Sequence, residues 1–409
     1  MKRKKFSTDY IKAIMLRNGM ARIDDLKYLA SSISIFHFER RVLRYFTSTG
    51  LLKRKWSKEM LPDNERVTYV KISGRESLGY IYEDWAKATG ESYGEAEAYL
   101  KLTLLRSIKR QLLKAAAEIL FVLTDIKILT RDKKDILEDR VAAAYTISEI
   151  QKHLGIKGEY YRAMFALFTD KRSYAVYSLY GRPDKSSYEE VFKRHVEEIN
   201  TQRGNDGNAD MIVIANTPDM YMLLCLSPVR GRENKWKGEN AKKLKAFDKE
   251  IYSNIYYVPY RKKRILQMKL LLIDDRVKIL FQHILGSGYD DCKDNACFDA
   301  FADGMHYFYG YDLNIGRALV LRKIDEFEKD NTTNGDVLTA PTRFRILCFD
   351  YQKEFYLNLG FSENSISVIR PDEEILKLYG IDDEPKDLSE NMSSTDEPEA
   401  YDDLDNDME

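Results

Sequence analysis

Between residues 35 and 72 an amphipathic segment carrying three arginines is stopped by a glycine and followed at once by two short strand-like runs, and few folds accommodate that order. Within IFHFERRVLRYFTS (residues 35–48), Phe36, Leu43 and Phe46 turn toward a core while Arg40, Arg41 and Arg44 fall largely on the other side of a helix. Gly50 ends that helix. LLKRKW (51–56) and VTYVKI (67–72) then read as strands separated by the polar stretch SKEMLPDNE. Upstream, TDYIKAIMLRNG repeats Tyr10, Ile11, Ile14 and Met15 at helical spacing until Asn18-Gly19 stops it. IDDLKYLA (23–30) does the same with Ile23, Leu26 and Leu29, so the reading is three helices and a hairpin.

Charge narrows what such a unit would bind. The formal net charge of −1 conceals a split: residues 1–75 hold eighteen Lys and Arg against seven Asp and Glu, whereas residues 382–409 hold thirteen acidic residues and one lysine. A basic head of that size suits a polyanion, because each phosphate neutralised by Lys or Arg releases condensed counterions. Three helices and a basic hairpin in this order are those of a winged helix-turn-helix, with the third helix in the major groove and the wing along the backbone or minor groove. Double-stranded DNA is the expected partner. Arg40, Arg41 and Arg44 are expected to contact bases or phosphates, and Lys53, Lys55, Lys58 and Arg66 to contact the backbone, which positions without specifying.

The run RVLRYFTSTGLLKR, the two strands, and VKISGRESLGYI with its Ser73-Gly74 turn resemble the winged helices of bacterial regulators, most particularly the plasmid replication-relaxation family. The resemblance covers roughly the first 85 residues. It implies a protein of a plasmid or integrative element acting in replication, conjugative transfer or their transcriptional control. It also implies a core like the restriction endonucleases in the remainder of the chain.

That remainder is long enough for further cores, since 44% of the 409 residues are hydrophobic and 12% aromatic. Residues 95–125 read as one long helix with Leu100, Leu104, Ile108, Leu112 and Ile119 on one face, either a linker forming a homodimer seam or a core helix. Residues 145–164 imitate a second helix-turn-helix, with Thr146 as cap and Glu149 three residues on, but YRAMFALFTDKRSYAVYSLYG reads better as a hairpin. A helix at 187–201, strands at 210–215, 255–259, 343–349 and 365–369, and helices at 219–226, 351–359 and after Pro371 complete an alternating pattern. The organisation is thus α+β and α/β: a winged helix over 1–85, a helical linker or dimerisation region over 86–145, a mixed-sheet α/β domain over 146–380 and an acidic disordered tail over 381–409. The tail is a candidate for intramolecular contact with the basic head, and the lysine-rich 230–249 and RKKR at 261–264 for a wider basic face around Trp236.

Several functions find no support. Leu112–Leu123 is too short and too charged to span a bilayer, and residues 6–18 carry Asp9, Lys12 and Arg17 where a signal peptide would be apolar, so a cytoplasmic protein is expected. Four cysteines make no disulfide framework, and Cys292, Cys297 and His306 match no strong zinc spacing, so free thiols and no metal are expected. A metal-dependent nuclease needs carboxylates and a lysine on adjacent strands, and SYAVYSLYGR offers neither. HYFYGYD (306–312) has tyrosines but no His-rich partner motif, and no nucleotide-binding signature occurs, so no catalytic residue or cofactor is assigned. A metal-dependent DNA-nicking enzyme and a winged-helix protein-interaction scaffold stand as the alternatives.

Overall fold

The structure is a computed structural model that describes residues 9–32, 38, 43–44, 52–57, 67–72, 83, 86–94, 108–156, 163–178, 186–215, 252, 254–260, 263–286, 288–292, 297–333, 343–371 and 373–381. The N-terminal unit runs α1 (Asp9–Asn18), β1 (Met20–Arg22), α2 (Ile23–Ser32), β2 (Leu52–Ser57) and β3 (Val67–Ile72). Its strands form an antiparallel sheet in the order β1-β3-β2. Gly19, at φ 70°, closes α1 by donating to the Met15 carbonyl at 2.7 Å, a left-handed cap at the stop expected there. Of the arginine-bearing segment, Phe38 and Leu43 are buried and share a lining with Ile11, Met15, Leu26 and Leu52, and Arg44 is exposed. Arg40, Arg41, Phe36 and Phe46 lie outside the described residues.

Helix α3 (Ile108–Leu123) follows, and every residue from 111 to 122 is buried. It packs on α1, α2 and β1 and on the sheet described next, so Leu112 and Ile119 are spent on contacts within one chain. The described part of the segment read as linker or dimer seam is therefore a core helix. The rest of the long helix, residues 95–107, lies outside the described residues.

The region expected to hold one mixed sheet holds two. The first runs β4 (Ala143–Thr146), α4 (Ile147–Leu154), β5 (Phe165–Phe168), β6 (Ser173–Ser178), α5 (Ser186–Gln202), β7 (Ala209–Ala215) and β8 (Ile255–Pro259), with strands side by side in chain order. After α6 (Arg264–Leu272) and α7 (Asp274–Leu285), the second runs β9 (Asp290–Asp291), β10 (Ala300–Ala302), β11 (Met305–Tyr309), α8 (Ile315–Thr333), β12 (Phe344–Phe349), α9 (Lys353–Asn358), β13 (Ile366–Ile369) and α10 (Glu373–Leu378). Its strands also lie in chain order. In both sheets the first three strands are antiparallel and the last two join in parallel. The registers agree in detail: the residue before the second strand donates its N–H to the third, Met164 to Val176 at 2.8 Å and Asp299 to Tyr307 at 2.8 Å. The chain thus contains the same sheet topology twice.

Strand alternation assigns each face of each sheet to a core. On the first sheet Phe165, Leu167, Val176, Ile212 and Val258 meet α3 and the Ile265 and Met268 side of α6, in one core with the N-terminal unit. Its other face, with Phe168, Ala175, Met211 and Val213, packs on Phe192, Val196 and Ile199 of α5. That core continues into Phe308, Ile346 and Cys348 of the second sheet. The far face of the second sheet covers Val277, Leu280 and Phe281 of α7. No helix among the described residues is long and apolar enough to cross a membrane.

Candidate nucleic-acid interface

Strand β2 lies at the edge of the N-terminal sheet. Leu52 is buried, and Lys53, Arg54, Lys55 and Trp56 are each exposed. Successive strand residues point to opposite faces, so both faces of β2 carry exposed side chains beyond Leu52, although Val67, Tyr69, Val70 and Ile72 of its partner β3 are buried. Register places Lys53 opposite Lys71, with Lys55 two residues further along the same face. Like charges directly across a ladder destabilise it unless counter-charge is supplied. None of Lys53, Arg54 and Lys55 forms an ion pair with a described residue, and neither LKRKWS nor VTYVKI contains an acid. Arg44 adds an exposed cation from the arginine-bearing segment.

Of the expected contact residues, Arg44, Lys53 and Lys55 are thus exposed on the N-terminal unit, and Arg40, Arg41, Lys58 and Arg66 lie outside the described residues. Arg54, Trp56 and Lys71 were not among the expected contacts. The signal for Arg54 and Trp56 was the strand itself, because an edge strand without acids exposes its alternate residues too; Lys71, half-buried on the central strand β3, joins them only through register.

The unit is held to the rest of the chain by buried charge. Arg17, 1% exposed, donates to the Ile128 carbonyl at 2.6 Å and to Glu91 at 2.9 Å, and stands 3.8 Å from Glu118 of α3. Asn18 donates to the other Glu118 oxygen at 2.6 Å. Burial raises the Glu118 pKa above the ordinary carboxylate value, against the pull of Arg17 and Lys114. Arg264 of α6 pairs with Asp25 of α2 at 3.2 Å. These bonds span more than 70 residues and set how the basic strand is presented.

Metal chemistry would require carboxylates left available in the α/β units. At the first hairpin turn, Lys171 and Arg172 pair with Asp275 and Asp274 of α7. In the second unit, at the residue before β10, Asp299 accepts the Tyr309 N–H at 2.7 Å and an Arg317 N–H at 2.8 Å. The Arg317 guanidinium also lies 4.9 Å from the centre of the Phe308 ring. Asp312 nearby is buried, which pushes its pKa up to about 7 against the charge of Arg317. Carboxylates in both places are thus committed to the chain's own cations. Among the described residues no group of three or more His, Cys, Asp or Glu is placed to hold a metal ion. Cys292, Cys297 and Cys348 are free thiols, and burial raises the pKa of each. His306 stands 4.0 Å from the Cys292 sulfur and stacks on Phe298.

Compared with family models, with curated proteins and with solved structures, the chain matches none.

Proposed function

We propose that this is a double-stranded DNA-binding protein whose N-terminal unit is a winged helix-turn-helix, with β2 and β3 as the wing. The observation that carries the reading is the edge strand: Lys53, Arg54 and Lys55 exposed in succession, with Lys53 set against Lys71 across the ladder. A sheet that sets like charges in register gains stability when a polyanion supplies the counter-charge. The order of elements, with a short strand between the first two helices and a hairpin after the arginine-bearing segment, is the order a winged helix requires. The family resemblance of the first 85 residues adds the setting, a plasmid or integrative element and its replication, transfer or control. The two α/β units are a scaffold of the restriction-endonuclease-like kind, with no metal-holding group of acids among the described residues, and the core helix α3 joins them to the reader, which Arg17 ties to Glu91 and Glu118.

The test uses the full chain, because the N-terminal unit shares a core with the first α/β unit. Fluorescence anisotropy with labelled duplex DNA at several salt concentrations should show affinity falling steeply with salt. Lys53→Ala/Lys55→Ala should weaken binding to every sequence and reduce the salt slope by about two, roughly 0.9 for each phosphate no longer neutralised. Arg40→Ala/Arg44→Ala should instead relax discrimination between sequences. Absence of binding at low salt overturns the reading and puts the protein-interaction scaffold in its place.

A further inference from the structure

Strand β2 has β3 on one side and, among the described residues, no strand on the other, so its outward N–H and C=O groups are open to a further strand. Lys53, Lys55 and, across the ladder, Lys71 share one face of this sheet, and none of the three has an acidic partner among the described residues. A strand that adds here has to bring acids to that one face, which means an acid at every second residue.

Residues 382–409 hold thirteen acids and one lysine, and in them Asp403, Asp405, Asp407 and Glu409 alternate with Leu404, Asn406 and Met408. In extended form that run sets four carboxylates on a single face. Laid antiparallel along β2 with Asp407 beside Lys53, it sets Asp405 beside Lys55, and opposite charges directly across a ladder stabilise it. The segment also starts from a suitable place. Ile381 is buried with Val277 and Phe281 of α7, and α7 follows α6, whose Arg264 pairs with Asp25 of the N-terminal unit. Ile381 and Asp407 are 26 residues apart, a separation the extended chain spans up to about 90 Å, against roughly 50–60 Å across a compact chain of this length.

Resting on the DNA-binding reading above, we infer that residues 403–409 add to the edge of β2 and shield Lys53 and Lys55 until duplex DNA displaces them. The tether gives the segment an effective concentration at β2 on the order of millimolar, so a weak contact is enough to hold it. Aspartate is a poor strand former, which keeps the contact exchangeable. A polyanion that engages Arg54 on the other face as well as the lysines outcompetes it.

The test uses the full chain in two ways. Carbodiimide joins an amine to a carboxylate in contact, as an amide with loss of water. Mass spectrometry of the treated monomer should find Lys53 or Lys55 linked to Asp405 or Asp407, and excess duplex DNA should suppress the links. In anisotropy at low salt, Asp403→Asn/Asp405→Asn/Asp407→Asn should tighten duplex binding roughly 3-fold or more, the gain from releasing two cross-strand ion pairs. Asp382→Asn/Asp383→Asn/Asp387→Asn changes the charge equally and should leave affinity within about 1.5-fold, since bulk charge alone acts weakly through salt. Equal effects of the two triple variants, or links spread evenly over the acids of 382–409, overturn the inference. Absence of links together with unchanged affinity overturns it while the duplex reading stands. Links at Lys53 and Lys55 in a chain that binds no duplex support the contact and overturn the duplex reading. Links found only between two chains overturn the intramolecular contact.

Discussion

Arg17 carries more of the architecture than any surface cation, because it is 1% exposed and its removal would leave the buried Glu91 and Glu118 without their shared counter-charge. Breaking a buried pair from one side costs about 3–5 kcal/mol, so Arg17→Met should lower the unfolding free energy by that much in a urea titration. A loss below about 1 kcal/mol would mean that apolar packing alone holds the joint. Asp312 makes a prediction in pH. Its folded pKa, about 7, lies above the ordinary 3.8 because burial favours the neutral acid. The groups that face it are Arg317, Asp274, Asp299 and the Asn314 N–H. The folded state therefore holds a proton that the unfolded chain has released, and the stability this contributes is complete below about pH 4 and lost as the pH rises through 7. Asp312→Asn keeps an oxygen for the Asn314 N–H and removes the titration. Between pH 5 and pH 8 its unfolding free energy should fall by on the order of 2–3 kcal/mol less than that of wild type. Neither residue is legible as special in the sequence. Arg17 reads as one basic residue near a helix end, and its partners lie 74 and 101 positions away.

Elements whose signals are local stand close to where the sequence places them. Thr146 caps α4 and Glu149 reaches back to the Thr146 N–H at 2.6 Å, the reciprocal pair implied by that spacing. Thr146→Ala should cost about 1 kcal/mol. Glu149→Ala should cost more, because Glu149 is also the partner of Lys133, whose side chain is 2% exposed and whose pKa burial lowers despite that carboxylate. Chemical unfolding of the two variants side by side checks the order. The hairpin at 165–178 and the strands β7, β8, β12 and β13 follow the apolar runs within a residue or two. Strands β9, β10 and β11 were not anticipated. They have two, three and five residues, too few for alternation to register, and HYFYGYD reads as a tyrosine cluster although its first four residues are strand. Gly310 ends that strand beneath Tyr356, whose ring atoms would lie 2.6–2.9 Å from an added Cβ. Gly310→Ala should displace the ring and break the bond from its hydroxyl to the Gly310 carbonyl, with a destabilisation of roughly 1–3 kcal/mol measurable in the same titration.

At the scale of the molecule, three units are tied in series. The N-terminal unit and the first sheet share one core, and the first and second sheets share another. A chain joined in this way should unfold without releasing its head first. Tryptophan fluorescence of a Trp236→Phe variant, which leaves Trp56 and Trp85 in the first 100 residues as the emitters, and far-UV circular dichroism, which is dominated by the α/β units, should give coincident urea transitions. An earlier fluorescence transition would show that the N-terminal unit unfolds independently. The repeated topology makes the contrast between its halves informative. Met164 occupies in the first unit the place that Asp299 occupies in the second, so only one copy carries a polar constellation there.

The amino-acid order by itself determined the helix stops, the caps, the strand pairs at 52–72 and 165–178 and the basic character of the head, because each depends on residues near one another in the chain. Tertiary structure alone decided that α3 is interior and that 146–380 folds as two sheets. It also decided that the lysines of β2 and β3 stand in register and that Arg17 closes the joint. These outcomes rest on pairings between distant residues, whose register is chosen by the packing of whole faces, and no short stretch of sequence carries that information.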